Sequence, residues 1–484
     1  AIELQLHLNA EVLEGLRRKI RGVWVVEVRD RAEVKLGEVV AFDFCHVLQH
    51  AFVALVNSIL GFLRGLLVED LAEQFEKVGA PLVIRHGDSL AELKQLVKET
   101  GAELVTWNRR HEPLIIERDT QVKTSLRNAG VKAESFNGNL LHEPHLVKTL
   151  AGNPFQVFTP FWKNCLANLK FGIPLKAPKK LTSFDKPLKS VAVAKLGLLP
   201  KIKWDGEFPA AWDPTRKGAE KRLKDFVAAP VKNYPTNRDI PKLDGTSRLS
   251  PYLHFGQISP LEIVDAVRTA GHLGVIGGDK YVAEIGWREF AQHLIHHFPE
   301  TPDRPLRKEY EKFPWQPDKK LLRAWQVGRT GYPIVDAGMR QLWQTGWQHN
   351  RVRMIAASVL VKHLLQPWNE GAKWYWDTLV DADLGANTMG WQWAGGCGAD
   401  AAPYFRVFNP VLQGEKFDPD GDYVRRWVPE LAKLPAEWIH QPWEAPMHVL
   451  AEAGIKLGKD YPVPLIGLTE GRDRALKALK GMRP

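Results

Sequence analysis

Cysteine is scarce: the 484 residues contain three, Cys45, Cys165 and Cys397, odd in number and far apart. That argues against a disulfide framework and against a four-cysteine metal or iron–sulfur site, so no metal is expected and a reducing, cytosolic setting follows. No basic, apolar and small-residue series of the signal-peptide kind begins the chain. Long hydrophobic runs are lacking too. The nearest, Ala51 to Val68, is interrupted by Asn57, Ser58, Gly61 and Arg64, and reads as a buried helix rather than a membrane span. No GxGxxG opens the α/β region described below, so the dinucleotide fingerprint of an ordinary NAD domain is missing.

What is present points elsewhere. A hydrophobic content of 44% supports well-packed cores in two or three domains. Lys and Arg outnumber Asp and Glu by 66 to 56, a net charge of +10 that favours a polyanionic partner such as nucleic acid. Trp is abundant, at 18 residues, and much of it sits beside amide and charged residues between Thr330 and Trp427. The runs WQHNRVRM (Trp347 to Met354) and DADLGANTMGWQW (Asp381 to Trp393) place polar groups among large aromatics, which suggests the lining of a pocket for a flat, polar, aromatic ligand.

From Pro81 to Asn137 strand and helix patterns alternate. PLVIRH, AELVTWN and VKAESFN read as strands, with helices over Ser89–Thr100, opened by a Ser89/Glu92 capping box, and Glu117–Ala129, stopped by Gly130. This is a βαβαβ unit and predicts a parallel sheet. A connector from about Leu146 to Trp204 follows. It carries Lys163, Lys176, Lys179, Lys180, Lys186, Lys189, Lys195, Lys201 and Lys203, either a solvated linker face or a phosphate-contacting one. Beyond it the pattern is helical: Gly218–Ala228, Ser259–Ala270, Lys280–His297, Lys319–Val327, Val335–Thr345, His349–Leu365 and Trp374–Val380. The expected domains are α/β over 1–145, linker over 146–204 and all-α over 205–484.

Within GTSRLSPYLHFG, Thr246, Ser247 and Ser250 stand where a helix is expected to begin, as plain caps or as an anion site suited to a pyrophosphate. Glu284, Trp287 and Arg288 share a helical face, and Asn350, Arg353 and Met354 repeat the spacing. Such a face can bind a base, or can be a salt bridge beside a core Trp. A buried Arg353 needs a carboxylate, and Asp381 is the candidate.

Together with FTPF and WKNC (Phe158 to Cys165), NRDIPKLDGTSRLSP, WREF, TGYPIVDAGMRQL, GWQHNRVRM and GADAAPYFRVFNPVLQGEKFDPDG, the DADLGANTMGWQW run resembles the photolyase and cryptochrome family of flavoproteins. The likeness runs from about Gly79 to the C-terminus. It implies an N-terminal Rossmann-like antenna domain, a long linker and a C-terminal helical domain holding FAD. It places the pyrophosphate on Thr246, Ser247, Arg248, Leu249 and Ser250 with Tyr234 nearby, and Asp381, Asp383 and Arg353 around the flavin, with Asn350 also in the cofactor set. Asn387 matches the residue facing flavin N5; plant cryptochromes usually carry Asp there, so Asn387 leans toward repair.

The resemblance also implies an electron-supplying series, Trp391, Trp368 and Trp315, and a lesion set: Glu284, Trp287, Arg288, Asn350, Arg351, Met354, Trp393 and Gln413. Trp287 and Trp393 match the indoles that sandwich an extruded dimer, and Glu284 the group that stabilises it once it has taken an electron. Enzymes for the 6-4 photoproduct typically carry His where Asn350 and Met354 stand, which argues for the cyclobutane pyrimidine dimer. WNRRHEP and LLHEP look like the bacterial class III cyclobutane dimer photolyases, usually loaded with a methenyltetrahydrofolate antenna. The expected protein is therefore a light-driven DNA repair enzyme acting on UV-damaged DNA, monomeric, non-membrane, and cytoplasmic at the bacterial nucleoid. The alternative is a cryptochrome-type blue-light photoreceptor. The departure is at the start: nothing like the family's WFRRDLRLxDN opening occurs between Ala1 and Val68, and the first family-like residues come at Glu69 to Gly79. That segment is divergent, fused, or read in a wrong frame.

Overall fold

The computed structural model describes residues 24–27, 57–168, 172–198, 207–401 and 405–482. Most of the atypical first segment, and with it Cys45, therefore lies outside the described residues. The chain divides into two compact units, one of Ala1–Val147, Cys165–Val227 and Arg248–Gly271, the other of Lys148–Asn164, Ala228–Ser247 and His272–Pro484.

In the first unit, β1 (Trp24–Glu27) pairs in parallel with β2 (Leu82–Arg85), and β3 (Leu104–Asn108) in parallel with β4 (Lys132–Phe136). Among the described residues these are two pairs and not the single run through β2, β3 and β4 that alternation predicts: β2 takes its partner from a segment without a readable strand pattern. Between them run α1 (Asn57–Lys77), α2 (Ser89–Thr100) and α3 (Pro113–Asn128). Helix α2 has the expected bounds but a different cap. Asp88 accepts from the Ala91 amide at 2.9 Å, Ser89 is buried, and Glu92 turns toward Arg85 instead of closing a capping box. Val83, Leu93, Leu96, Val105, Val122, Leu126 and Ala133 form a core of these elements.

Part of the lysine-rich connector is built into this unit. The Leu181 amide donates to Val78 O at 2.7 Å, and the Ile84 amide donates to Ser190 Oγ at 2.9 Å. Lys176, Lys179, Lys180, Lys186, Lys189 and Lys195 are exposed; Lys201 and Lys203 lie outside the described residues. No helix among the described residues is long and apolar enough to cross a membrane.

The connector also leads into α4 (Phe158–Asn168), followed by α5 (Arg216–Ala228) and α6 (Pro260–Thr269). Ser259 caps α6 in a reciprocal capping box with Glu262, the device expected at Ser89 and found here.

The second unit is helical. Its frame is α7 (Ile276–His297), α8 (Lys319–Gln326), α9 (Pro333–Thr345), α10 (Asn350–Ser358), α11 (Trp368–Thr378), α12 (Leu384–Gly395), α13 (Pro410–Phe417) and α14 (Leu468–Met482). Helices α7 and α11 both pack on α12. The predicted helix His349–Leu365 is interrupted: α10 passes into a wider π turn, Val359–His363, against which α14 packs. Helix α11 starts six residues before its predicted start, directly after Pro367, a residue that sets the entry to a first turn but is poor evidence for one in a stretch as polar as WNEGAK.

Much of the polar content of 330–392 proves structural. Buried Asp336 accepts from the Thr330 amide and hydroxyl at 2.7 Å each, from the Gly331 amide at 3.1 Å and from Tyr461 Oη at 2.6 Å. Gln392 Oε1 accepts from the Leu306 amide at 2.9 Å, while Nε2 donates to Thr301 O and Arg304 O. Left unpaired, each such group would cost about 1–3 kcal/mol, so these side chains hold loops onto helices and do not line a pocket.

Candidate functional site

The residues that the structure does bring together lie where α10, α11 and α12 meet. Arg353, on α10, donates through Nη2 to both oxygens of Asp381, at 3.2 and 3.0 Å, and through Nε to Gln348 O at 2.7 Å. The Asp381 side chain is 4% exposed and that of Arg353 23%, so the carboxylate is covered and the guanidinium reaches out. The expected partnership of Arg353 with Asp381 is present, but the carboxylate and not the guanidinium is its covered member.

Asp383 caps α12: its Oδ1 accepts from the Ala386 amide at 2.7 Å and its Oδ2 from Gln292 Nε2 at 2.8 Å. Both oxygens therefore fix the start of the helix that carries Asn387, Trp391 and Trp393. One turn on, Asn387 donates from Nδ2 to Ala372 O at 2.9 Å, which ties α12 to α11 and sets the carboxamide orientation. Its Oδ1 accepts nothing from the described residues and is available to a ligand as an acceptor.

Trp391 is buried beside this amide, with Tyr375 edge-on at 4.9 Å and Trp325 at 5.9 Å. A Cβ at Gly371 would lie 2.1 Å from its ring, so α11 and α12 close this tightly only because position 371 is glycine. Trp368 is buried in the same core, and Trp315 is partly buried against it with its ring 4.4 Å from Phe313. Trp391 and Trp368 thus belong to one hydrophobic core, with Trp315 packed against it.

A second cluster centres on α7. Glu284 is ion-paired with Arg238, whose guanidinium also lies over the Tyr234 ring at 5.3 Å. Burial, reinforced by Glu284, pushes the Tyr234 phenol up, so it is a neutral hydrogen-bonding group at any ordinary pH. Arg351 is held by Asp239 at 2.9 Å and lies 4.5 Å from the Phe417 ring centroid. Trp287 and Arg288 are half-buried, as are Trp393, Gln413 and Met354; Asn350, which opens α10, is exposed. Sequence reasoning singled out neither Arg238 nor Asp239, although both lie in the quoted NRDIPKLDGTSRLSP run. It also passed over Asp377, on α11, whose carboxyl burial alone pushes up to about 6.

Thr246 and Ser247 end a segment of the second unit, and burial of Tyr281 pushes its phenol up while a hydrogen bond with Ser247 works the other way. Arg248, Leu249 and Ser250 are counted with the first unit; Arg248 has φ +50°, and Leu249, which has no polar side chain, stands at the N-cap of a five-residue helix, Ser250–His254.

The donor set around α12, a carboxamide acceptor, a guanidinium with its covered carboxylate, and flanking indoles, fits a planar heteroaromatic ligand with polar edges. Comparison with known proteins agrees. Residues 281–481 match the FAD binding domain of DNA photolyase and residues 40–180 match DNA photolyase. The second match begins within the segment in which sequence reading found no family signal. Deoxyribodipyrimidine photo-lyase of Agrobacterium fabrum is 46% identical over 415 residues, covering 85% of this chain and 87% of that protein. Cryptochrome-1 of Arabidopsis thaliana is 39% identical over 430 residues, covering 85% of this chain and 62% of that protein. The crystal structure of a bacterial class III photolyase from Agrobacterium tumefaciens superposes with a TM-score of 0.88 at 41% identity, over 98% of this chain and 95% of that one. The chain belongs to the photolyase and cryptochrome family, with an α/β unit and a helical FAD-binding region.

Proposed function

We propose that this protein is a light-driven DNA repair enzyme, a deoxyribodipyrimidine photo-lyase that splits cyclobutane pyrimidine dimers. The observation that carries this reading is the fixed carboxamide of Asn387, with its donor spent on Ala372 O and its acceptor open, beside the buried indole of Trp391. Asn387, Arg353 and Asp381 would hold the flavin ring of FAD, and Thr246 and Ser247 would take oxygens of its pyrophosphate. The chemistry supplied there is single-electron donation under light, in which one electron opens the cyclobutane ring and is recovered when two pyrimidines have formed.

The protein's own side chains do the rest. Trp391, Trp368 and Trp315 form the path by which electrons enter from solvent. Trp287 and Trp393 stack on the extruded dimer, which pairs and stacks poorly in the duplex and so costs less to flip than an intact base. Glu284, fixed by Arg238, presents a carboxyl group to it, while Asn350, Met354, Arg351, Arg288 and Gln413 line its edges. The net charge of +10 supplies sequence-independent attraction to the phosphate backbone.

The resemblance further carries a methenyltetrahydrofolate antenna to the α/β unit; a near-UV absorption band beyond those of flavin in the purified protein tests it. The similarity to plant cryptochromes keeps a signalling role as the second reading. Light-dependent loss of thymine dimers decides between them, since a photoreceptor without repair activity leaves dimer content unchanged.

A further inference from the structure

Phe158, the first residue of α4, lies flat on the indole of Trp287: ring centroids are 3.7 Å apart and the planes 9° from parallel. Phe290, fully buried, meets the same indole edge-on at 6.0 Å and 72°, and meets Phe158 at 6.0 Å. One face of Trp287 is therefore covered and its tilt fixed, while the other face has no ring partner among the described residues.

The covering ring is itself held. The Phe158 amide donates to Asp400 Oδ1 at 3.4 Å, and the Asp400 amide donates back to Gln156 O at 3.2 Å. Asp400 sits at φ +50°, a left-handed conformation that Asp tolerates better than most residues but that still has to be held by its surroundings. Three residues before Phe158, the Phe155 amide donates to His293 Nε2 at 3.1 Å, which pins the segment to α7, the helix of Trp287.

We propose that Phe158, tethered by Asp400, is a positioning residue that locks the Trp287 indole so that a single face is ready to stack on an extruded pyrimidine dimer. The inference rests on the reading of Trp287 as a lesion-stacking residue. An indole free to turn would lose rotamer freedom on binding; one clamped beforehand does not, and the saving appears as affinity for the flipped lesion alone. Undamaged duplex, which inserts no base, gains nothing from it.

The test is dark binding of the FAD-loaded full-length chain to an oligonucleotide with one thymine dimer and to its undamaged twin. Phe158→Leu keeps apolar bulk but loses the flat ring, and is expected to weaken dimer binding by about 3- to 10-fold, from the cost of ordering one side chain, with undamaged binding unchanged. Phe158→Tyr restores it. In a Trp287→Ala background, Phe158→Leu is expected to add nothing. Should Phe158→Leu unfold, Asp400→Gly, which removes the acceptor without straining the backbone, is expected to lose part of the same selectivity. Wild-type dimer binding by Phe158→Leu and Asp400→Gly, beside a weakened Trp287→Ala, overturns the positioning role alone. Wild-type binding by Trp287→Ala overturns the lesion reading beneath it.

Discussion

The side-chain amide of Asn387 donates to the backbone carbonyl of Ala372 across 2.9 Å, so the acceptor end of one residue on α12 is aimed by the backbone of α11. A carboxylate at this position has no hydrogen to give, and two acceptors would face each other. Asn387→Asp is expected to cost about 1–3 kcal/mol in stability, the penalty of an unpaired carbonyl and a displaced side chain. It is also expected to change which flavin oxidation state accumulates under blue light. Absorption spectra taken during illumination check this; an unchanged series of spectra would mean that the amide does not face the flavin.

Trp391 is buried and gripped by Tyr375, Trp325 and the glycine notch at 371. Trp391→Phe fills nearly the same space with a ring far harder to oxidise. Photoreduction should be lost, whereas protein reduced beforehand with a chemical reductant should repair normally. Photoreduction at the wild-type rate would show that electrons enter by another route.

Arg353→Met strips the covered Asp381 carboxylate of the guanidinium it is paired with. Breaking one side of such a pair typically costs about 3–5 kcal/mol. Chemical denaturation of the apoprotein is expected to show that loss, and equilibrium dialysis a weakened hold on FAD. The conservative Asp381→Asn, which keeps one acceptor oxygen for the Arg353 guanidinium and leaves no buried carboxylate charge, is expected to be milder in stability.

His363, in the π turn after α10, is buried and its pKa is pushed down to about 4 from an ordinary 6.5 by that burial. Between those values the unfolded chain binds the proton and the folded chain does not. Stability from this group is thus complete above about pH 6.5, falls as pH drops toward 4, and is lost below it, for a total of about 3 kcal/mol. His363→Gln should flatten that part of the stability–pH curve. Denaturation midpoints measured from pH 7 to pH 4 decide it.

The elements with strong local signals were legible in sequence. Ser89–Thr100 has its predicted bounds, and Arg353 pairs with Asp381 as expected, although the covered charge is the carboxylate and not the guanidinium. What was not legible depends on competition or on distance along the chain. Ser89 lost the cap to its neighbour Asp88, because Glu92, the other half of the expected box, is drawn to Arg85. Arg238 reaches Glu284 across 46 residues, and Phe158 reaches Trp287 from a segment that looked like linker; no periodicity announces either. Nor could pattern alone separate Asp336 and Gln392, whose polar atoms hold the core together, from Asn387, which keeps an acceptor open.

Repair activity is tested most directly by the thymine-dimer content of a defined oligonucleotide incubated with FAD-loaded, fully reduced protein, in blue or near-UV light and in the dark. Loss of dimers in light only, with intact thymines recovered, is the predicted result. Equal dimer content in light and dark, with reduced FAD demonstrably bound, would contradict it.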